Sequence, residues 1–246
     1  MCGIVGMFAM NGSTLEGAPH LIRMRDALAH RGPDGAGAWR SPDDRVALGH
    51  RRLSILDLTD AAAQPMTNED GLLRISFNGE IYNHAEIRAE LERTGRHRWQ
   101  TDHSDTEVIL HAYEEWGVDC LHRLRGMFAF ALSDGRQRRL WLVRDRLGIK
   151  PLYYSVRRGR LTFASEIKAL LLDPDQPRRL HEEALYHYLS FLTTPAPQTL
   201  FDGIRKLPAG SWLCAYEDGT VEEQRWWDAW DQVTPLTACS EQEIAE

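Results

Sequence analysis

Four strand-like segments in the middle of the chain lie too close together for anything but hairpins. Met127–Leu132 is followed by Leu140–Arg144 across a turn at Ser133–Arg139, and Pro151–Val156 by Leu161–Ala164 across Arg157–Arg160. Antiparallel strands need only a few linking residues, whereas a parallel crossover needs a dozen or more, usually as a helix. Ile4–Met10, Arg45–Asp57 and Leu72–Phe77 also read as strands, with Gln64–Gly71 as a turn region. Ser211–Tyr216 and Thr220–Trp226 form a further candidate hairpin. Helical spacing appears at His20–His30, at His84–Thr94 with Gly95 as its stop, at Glu166–Leu172 and at His181–Phe191. One more helix starts after Ser104, whose S-x-x-E spacing to Glu107 predicts a capping box, and ends at Gly117. Too few helices separate the strands for parallel winding. The expected fold is therefore α+β: a layered sandwich of mainly antiparallel sheets with helices outside.

A hydrophobic fraction of 43% over 246 residues suffices for one large domain, or one domain plus an appendage. The net charge of -7, with no long run of like charge, argues against a nucleic-acid or anionic-membrane binder. No apolar run approaches the ~20 residues needed to span a bilayer. MCGIVGMFAM lacks a basic n-region and a cleavage site, so it reads as a buried strand and not as a signal peptide. The four cysteines show no CxxC pair and no histidines clustered around them, which indicates neither a disulfide framework nor a structural zinc site. Free thiols in a reducing cytoplasm fit better. Thr193–Pro197 is Pro-rich and reads as a boundary or crossover. Near the end, Ser240 and Glu243 repeat the capping pattern only a few residues before Glu246. So short a helix does not stand alone in water, so a helix cut in its first turn is expected, with a disordered tail as the alternative.

Among residues able to do chemistry, Cys2 stands out. Removal of Met1 would put a thiol and an α-amino group on one residue, and an amine titrating near ~8 is a usable base at neutral pH. Taken alone, a second-position cysteine reads equally as a small apolar residue at a strand end. In Phe77-Asn78-Gly79-Glu80-Ile81-Tyr82-Asn83, an Asn amide next to an unhindered Gly N–H supplies two neutral donors of the oxyanion-hole kind; Asn-Gly is also a common turn dipeptide. His30-Arg31-Gly32-Pro33-Asp34-Gly35 reads as a turn. In the strand Gly49-His50-Arg51-Arg52, alternation sends one arginine to solvent and the other inward, where it needs a carboxylate partner. Asp102 and Asp105 offer acidic groups for a ligand ammonium, or compensate a helix dipole.

Taken together, MCGIVGMF, HRGPDG, HRRLSILDL, FNGEIYNH, SDTEVILHAYEEWG, RGMFAFALSD, RDRLGIKPLYY and FASEIKALL resemble the glutaminase domain of glutamine-dependent asparagine synthetases. The blocks keep the family order over roughly residues 1–212. The resemblance implies a class II amidotransferase, an N-terminal-nucleophile (Ntn) hydrolase with a four-layer αββα sandwich. It implies that Cys2 attacks the carboxamide of glutamine with its own α-amino group moving the proton, that Asn78 and Gly79 hold the oxyanion, and that a thioester is hydrolysed to give glutamate and ammonia. By the same resemblance Arg52 pairs with the substrate α-carboxylate, Glu80 and Asp105 hold its α-ammonium, and the backbone near Ile55 and Leu56 lines the pocket. Arg51 receives no role. No cofactor is implied for this step.

ATP and Mg2+ are implied only for a synthetase domain carrying an SGG-x-DS loop, and this chain contains no Gly-Gly dipeptide. The expected division is 1–192 as the glutaminase domain and 193–246 as the connection and truncated start of the synthetase domain. The ammonia would then serve ATP-dependent conversion of aspartate to asparagine by a missing synthetase domain or subunit. A homodimer is a further expectation, since full-length relatives often pair. The competing expectations are a non-catalytic glutamine-binding or docking module, a hydrolase of another amide, and an ammonia donor to a different amide-forming ligase.

Overall fold

The computed structural model describes residues 1–16, 18–54 and 59–233. Its strands are β1 (Gly3–Ala9), β2 (Gly35–Arg40), β3 (Val46–Arg52), β4 (Met66–Thr67), β5 (Leu73–Ile81), β6 (Gly126–Asp134), β7 (Arg139–Arg144), β8 (Tyr153–Arg157), β9 (Arg160–Ala164), β10 (Arg205–Lys206), β11 (Ser211–Tyr216) and β12 (Val221–Arg225). Its helices are α1 (Leu21–Asp26), α2 (His84–Thr94), α3 (Asp105–Trp116), α4 (Cys120–Arg123), α5 (Ile167–Leu170) and α6 (Glu182–Phe191). The strands form two six-stranded sheets, in the orders β10-β8-β9-β1-β3-β2 and β12-β11-β7-β6-β5-β4. Among the described residues every named pairing is antiparallel, as the short hairpin turns require.

Three apolar layers show the sandwich. Ile4, Phe8, Leu48, Ala129, Ala131, Leu142, Phe163 and Leu213 pack between the sheets. Val5, Met7, Leu21, Met24, Leu28 and Leu170 fill the space between the first sheet and helices α1 and α5. Phe77, Phe128, Phe130, Trp141, Ile87, Val108 and Leu121 fill that between the second sheet and α2, α3 and α4. The result is the four-layer αββα arrangement. Strand β1 shows why its sequence lacks alternation: Ile4 and Phe8 face the other sheet while Val5, Met7 and Ala9 face the helices, so both faces are covered.

Three sequence expectations need correction or extension. Ser104 takes the extended N-cap conformation but makes no side-chain cap bond. Glu107 instead accepts from the backbone N–H groups of Gln100 and Thr101 and from the Thr101 hydroxyl, tying down the preceding loop. Strand β2 (GAGAWR) was not anticipated, because an edge strand that is half-buried and exposed in alternation carries no apolar signal. The segment after residue 193 contributes β10 to one sheet and β11 and β12 to the other, so these residues share the same sandwich. The expected helix start at Ser240 lies outside the described residues. Among the described residues no helix is long and apolar enough to cross a membrane.

Candidate active site

Cys2 immediately precedes β1 and lies at a cavity of about 250 Å³ where the two sheets and the start of α3 meet. The cavity wall is shared by Cys2, Arg52, Asn78, Gly79, Glu80 and Asp105. Four parts of the fold supply them: Cys2 just before β1, Arg52 at the end of β3, Asn78, Gly79 and Glu80 on β5, and Asp105 in the first turn of α3.

The HRGPDG segment does more than turn the chain. Arg31 Nε donates to the Cys2 carbonyl (2.9 Å), and its Nη1 pairs with Glu166 at 2.9 Å. Partial burial works against the Glu166 charge, but Arg31, His30 and Lys168 prevail and hold its carboxyl near about 2. Asp34 accepts from the Ser54 N–H at 2.9 Å, fixing the chain as it leaves β3. Gly32 lies against that strand so closely that a Cβ would stand 2.3 Å from the Arg51 carbonyl carbon. Gly32→Ala is expected to destabilise the fold by ~1–3 kcal/mol through backbone overpacking; a urea midpoint equal to that of the parent would refute the close approach.

Arg51 is not turned to solvent as alternation suggested. Its Nε donates to the Gly32 carbonyl at 3.0 Å and its guanidinium lies 3.6 Å from Asp26, so it braces the loop from the α1 side. Arg52 faces the cavity, with Nη1 donating to the Thr59 carbonyl at 3.0 Å.

Strand β5 is locked to its surroundings on either side of Asn78. His50 is neutral, because complete burial drops its pKa to about 4. Its Nε2 therefore donates to the Phe77 carbonyl across the sandwich (3.0 Å), since a carbonyl oxygen only accepts. The Ser76 hydroxyl donates to the Gly49 carbonyl at 3.3 Å, a second link between sheets. Gln64, read from sequence only as part of a turn, accepts from the Phe77 N–H at 2.6 Å and donates to Thr106 Oγ1 at 3.2 Å, joining β5 to α3. Asp105 Oδ2 accepts from the Ile81 N–H at 3.0 Å.

Within this frame Asn78 is almost fully buried, yet among the described residues its side-chain Nδ2 has no hydrogen-bond partner. A buried orphan amide costs about 1–3 kcal/mol unless something completes it. Gly79 is required by space, because a Cβ would lie 2.3 Å from the Met127 carbonyl oxygen. Burial pushes the Asp105 carboxyl up to about 6, and the Ile81 N–H and nearby His84 offset this only partly. Asp102, by contrast, is exposed and does not line the cavity. Ile55 and Leu56 lie outside the described residues.

The Cys2 thiol is raised above its ordinary pKa by burial, against the pull of the Leu53 backbone bond, the N-terminal charge and Arg52. Its Sγ sits 3.4 Å from the Leu53 N–H. Such a thiol is not self-activated and needs a base. No histidine lines the cavity among the described residues.

Lys150 is a lining residue that sequence reasoning missed. It is buried, and the RDRLGIKP loop that presents it is heavily bonded. Arg144 donates to the carbonyls of Gly148, Lys150 and Leu207, while Asp145 accepts from the N–H groups of Phe128, Leu147, Ile149 and Lys150. The signal available in sequence was that Arg-Asp pair beside a glycine.

The description of the family whose model matches residues 1–227 is "glutamine amidotransferase domain". The chain belongs to this family. Its sequence is 40% identical over 223 residues to the glutamine-hydrolysing asparagine synthetase 1 of Bacillus subtilis (strain 168), covering 90% of this chain and 34% of the relative. It is 36% identical over 241 residues to asparagine synthetase 3 of the same strain, covering 94% of this chain and 38% of the relative. This amidotransferase chain thus spans little more than a third of the length of those relatives. Among solved structures, glutamine phosphoribosylpyrophosphate amidotransferase from B. subtilis superposes with a TM-score of 0.67 at 19% identity, covering 92% of this chain and 49% of that one. That likeness establishes the shared sandwich fold.

Proposed function

We propose that this amidotransferase chain hydrolyses L-glutamine to glutamate and ammonia, with Cys2 as nucleophile once Met1 has been removed. The observation that carries the proposal is that one cavity is lined by a thiol, an unpartnered amide donor, an arginine and two carboxylates. An amino acid bearing a carboxamide presents the complement of that set. Arg52 would meet its α-carboxylate, and Glu80 with Asp105 its α-ammonium.

Attack by Sγ forms a C–S bond and a tetrahedral oxyanion facing Asn78 Nδ2 and the Gly79 N–H. The thiol proton passes to the Cys2 α-amine and from there to the departing nitrogen; the C–N bond breaks and ammonia leaves. Water then attacks the thioester, the C–S bond breaks, and glutamate is released with the thiol restored. The backbone of Ile55 and Leu56 belongs to the same proposal as part of the pocket wall. A mechanism that requires a free thiol suits a reducing cytoplasm, and Cys2, Cys120 and Cys214 are all free.

The test is glutamate release by protein verified to begin at Cys2, together with labelling by a glutamine analogue electrophilic at the carboxamide carbon. Turnover and a stoichiometric mass increase at Cys2 are expected. Calorimetric glutamine binding without either would instead establish a docking module, and equal turnover of asparagine would overturn the substrate.

Asp105 supplies a pH signature. An α-amine base already makes log kcat/KM fall with unit slope below ~8. As Asp105 takes up a proton near about 6, it loses the charge that faces the substrate ammonium, so the slope should steepen to two. Asp105→Asn should weaken glutamine binding and leave a single slope. Stability moves the other way. A carboxyl raised from the unfolded ~3.9 to about 6 stabilises the folded chain below pH ~4 and ceases to do so as pH rises through about 6. Asp105→Asn is therefore expected to be more stable than the parent by ~2–3 kcal/mol at neutral pH, with the difference vanishing below pH ~4. A constant difference across that range would refute the raised carboxyl.

The released ammonia is proposed to serve ATP- and Mg2+-dependent amidation of aspartate by a synthetase domain or subunit. Helix α6 exposes Tyr186, Leu189 and Phe191, an apolar face of the kind that docks a partner. That face is equally open to a second copy of the chain, and amidation of a different carboxylate remains the competing proposal.

A further inference from the structure

We infer that Glu69, His97, His111 and Glu114 form a site for a divalent transition metal of the zinc class, separate from the glutamine cavity. Three segments contribute: the turn before β5 (Glu69), the loop after α2 (His97), and α3 (His111 and Glu114). One ligand atom from each of the four residues lies within 4.8 Å of all the others. His111 Nδ1 stands 2.9 Å from Glu114 Oε2, His97 Nδ1 stands 3.6 Å from the same oxygen, and Glu69 Oε2 lies 3.8 Å from His111 Nδ1. The two imidazole centroids are 4.7 Å apart. Imidazoles sharing one tetrahedral ion at metal–nitrogen bonds of ~2.0–2.1 Å have centroids about 5 Å apart, so little movement is needed.

The surroundings orient these ligands as a metal site does. Glu114 Oε1 is occupied by Asn68 Nδ2 (2.7 Å) and Arg136 Nη2 (3.1 Å), which leaves Oε2 for the ion. Glu69 Oε1 accepts from the Arg98 N–H at 3.2 Å, again leaving Oε2. The far ring nitrogens point at carboxylates: His97 Nε2 is 3.6 Å from Glu115, and His111 Nε2 is 3.8 Å from Glu107. Both Nε2 atoms are buried and, among the described residues, unpartnered at those distances, on side chains only 6% and 1% exposed. Ligating histidines characteristically give their second N–H to a carboxylate, and a metal drawing on the rings would bring these pairs to bond length. Trp99 closes the site, its ring edge-on to His111 at 4.6 Å.

Charge points the same way. Four carboxylates (Glu69, Glu107, Glu114 and Glu115) surround two imidazoles, while Arg136 is shared with Asp70 and Arg96 serves Glu115. A dication balances the excess. Because His111 lies on the helix whose first turn carries Asp105, a bound ion would also brace that end of the glutamine cavity.

The test uses the tag-free full chain with Cys2→Ala, so that the accessible thiol offers no ligand, and it reads binding and not turnover. After chelation and dialysis, Co2+ should give the visible bands of a tetrahedral nitrogen/oxygen site. Zn2+ should displace it at one ion per chain and raise the melting temperature. His97→Ala and Glu69→Gln should each weaken Zn2+ binding at least tenfold. Should His97→Ala fail to fold, the partly exposed Glu69→Gln carries that arm, and the cobalt spectrum needs no variant. Absence of a tetrahedral spectrum, or Zn2+ binding unchanged by both substitutions, would overturn the site and leave a histidine–glutamate hydrogen-bond network centred on His111.

Discussion

Protein that retains Met1 is expected to hydrolyse glutamine ~10²–10⁴-fold more slowly than protein beginning at Cys2, the range that a positioned general base supplies. Cys2→Ala should be inactive in either form. Burial raises the thiol above its ordinary pKa, so little thiolate is present at neutral pH and a base must act during attack. The lining residues described include no histidine, and buried His50 is occupied with the Phe77 carbonyl. The proposed base is the α-amine of residue 2, which exists only when Met1 is gone. With Met1 attached, that nitrogen is a peptide amide without basicity, and Met1 itself lines the cavity. Steady-state glutamate release, measured on preparations whose N-termini are assigned by intact mass, checks this. Equal rates with and without Met1 would require a different base and would sink the N-terminal mechanism.

Much of the sandwich was legible because its signals are local. The hairpin pairing β6 with β7 follows from short turns between apolar segments, and α2 from Ile87 and Leu91 spaced to one face with Gly95 behind them. What was not legible depends on distant chain approaching closely. Gly37 in β2 gives no pattern, yet a Cβ there would lie 1.8 Å from the Gln64 carbonyl oxygen. The predicted box between Ser104 and Glu107 failed because Glu107 found nearer donors in Gln100 and Thr101. At the site, Cys2, Asn78, Gly79 and Asp105 stand out by residue chemistry, the family blocks add Arg52 and Glu80, and the fold gathers all six around one cavity. The supporting residues were not named. Arg31, Gln64 and Lys150 act through single long-range contacts or burial, and neither periodicity nor composition records those. The same limit hid the histidine–glutamate cluster, since His97 and His111 stand on separate segments and a search for cysteine spacing passes over them.

Asn78→Ala is expected to lower kcat for glutamine by ~10²–10³, as loss of one oxyanion donor does elsewhere, with little change in KM. The prediction turns on the unpartnered Nδ2. Among the described residues this buried donor has no acceptor, so the fold bears its desolvation without compensation. Removing the amide should therefore cost little stability, and may be contrasted with Gly79→Ala, where a clash with the Met127 carbonyl attacks the fold itself. In the proposed mechanism the donor gains its partner only when negative charge develops on the carboxamide oxygen. Its contribution accordingly appears in the transition state and not in ground-state binding, which is why kcat and not KM should respond. Asn78→Asp should be at least as damaging, because a carboxylate would oppose the same charge. Kinetics together with thermal melts separate the cases: unchanged kcat in a folded Asn78→Ala protein would remove Asn78 from the oxyanion site, while a large fall in melting temperature would show that the amide serves the fold.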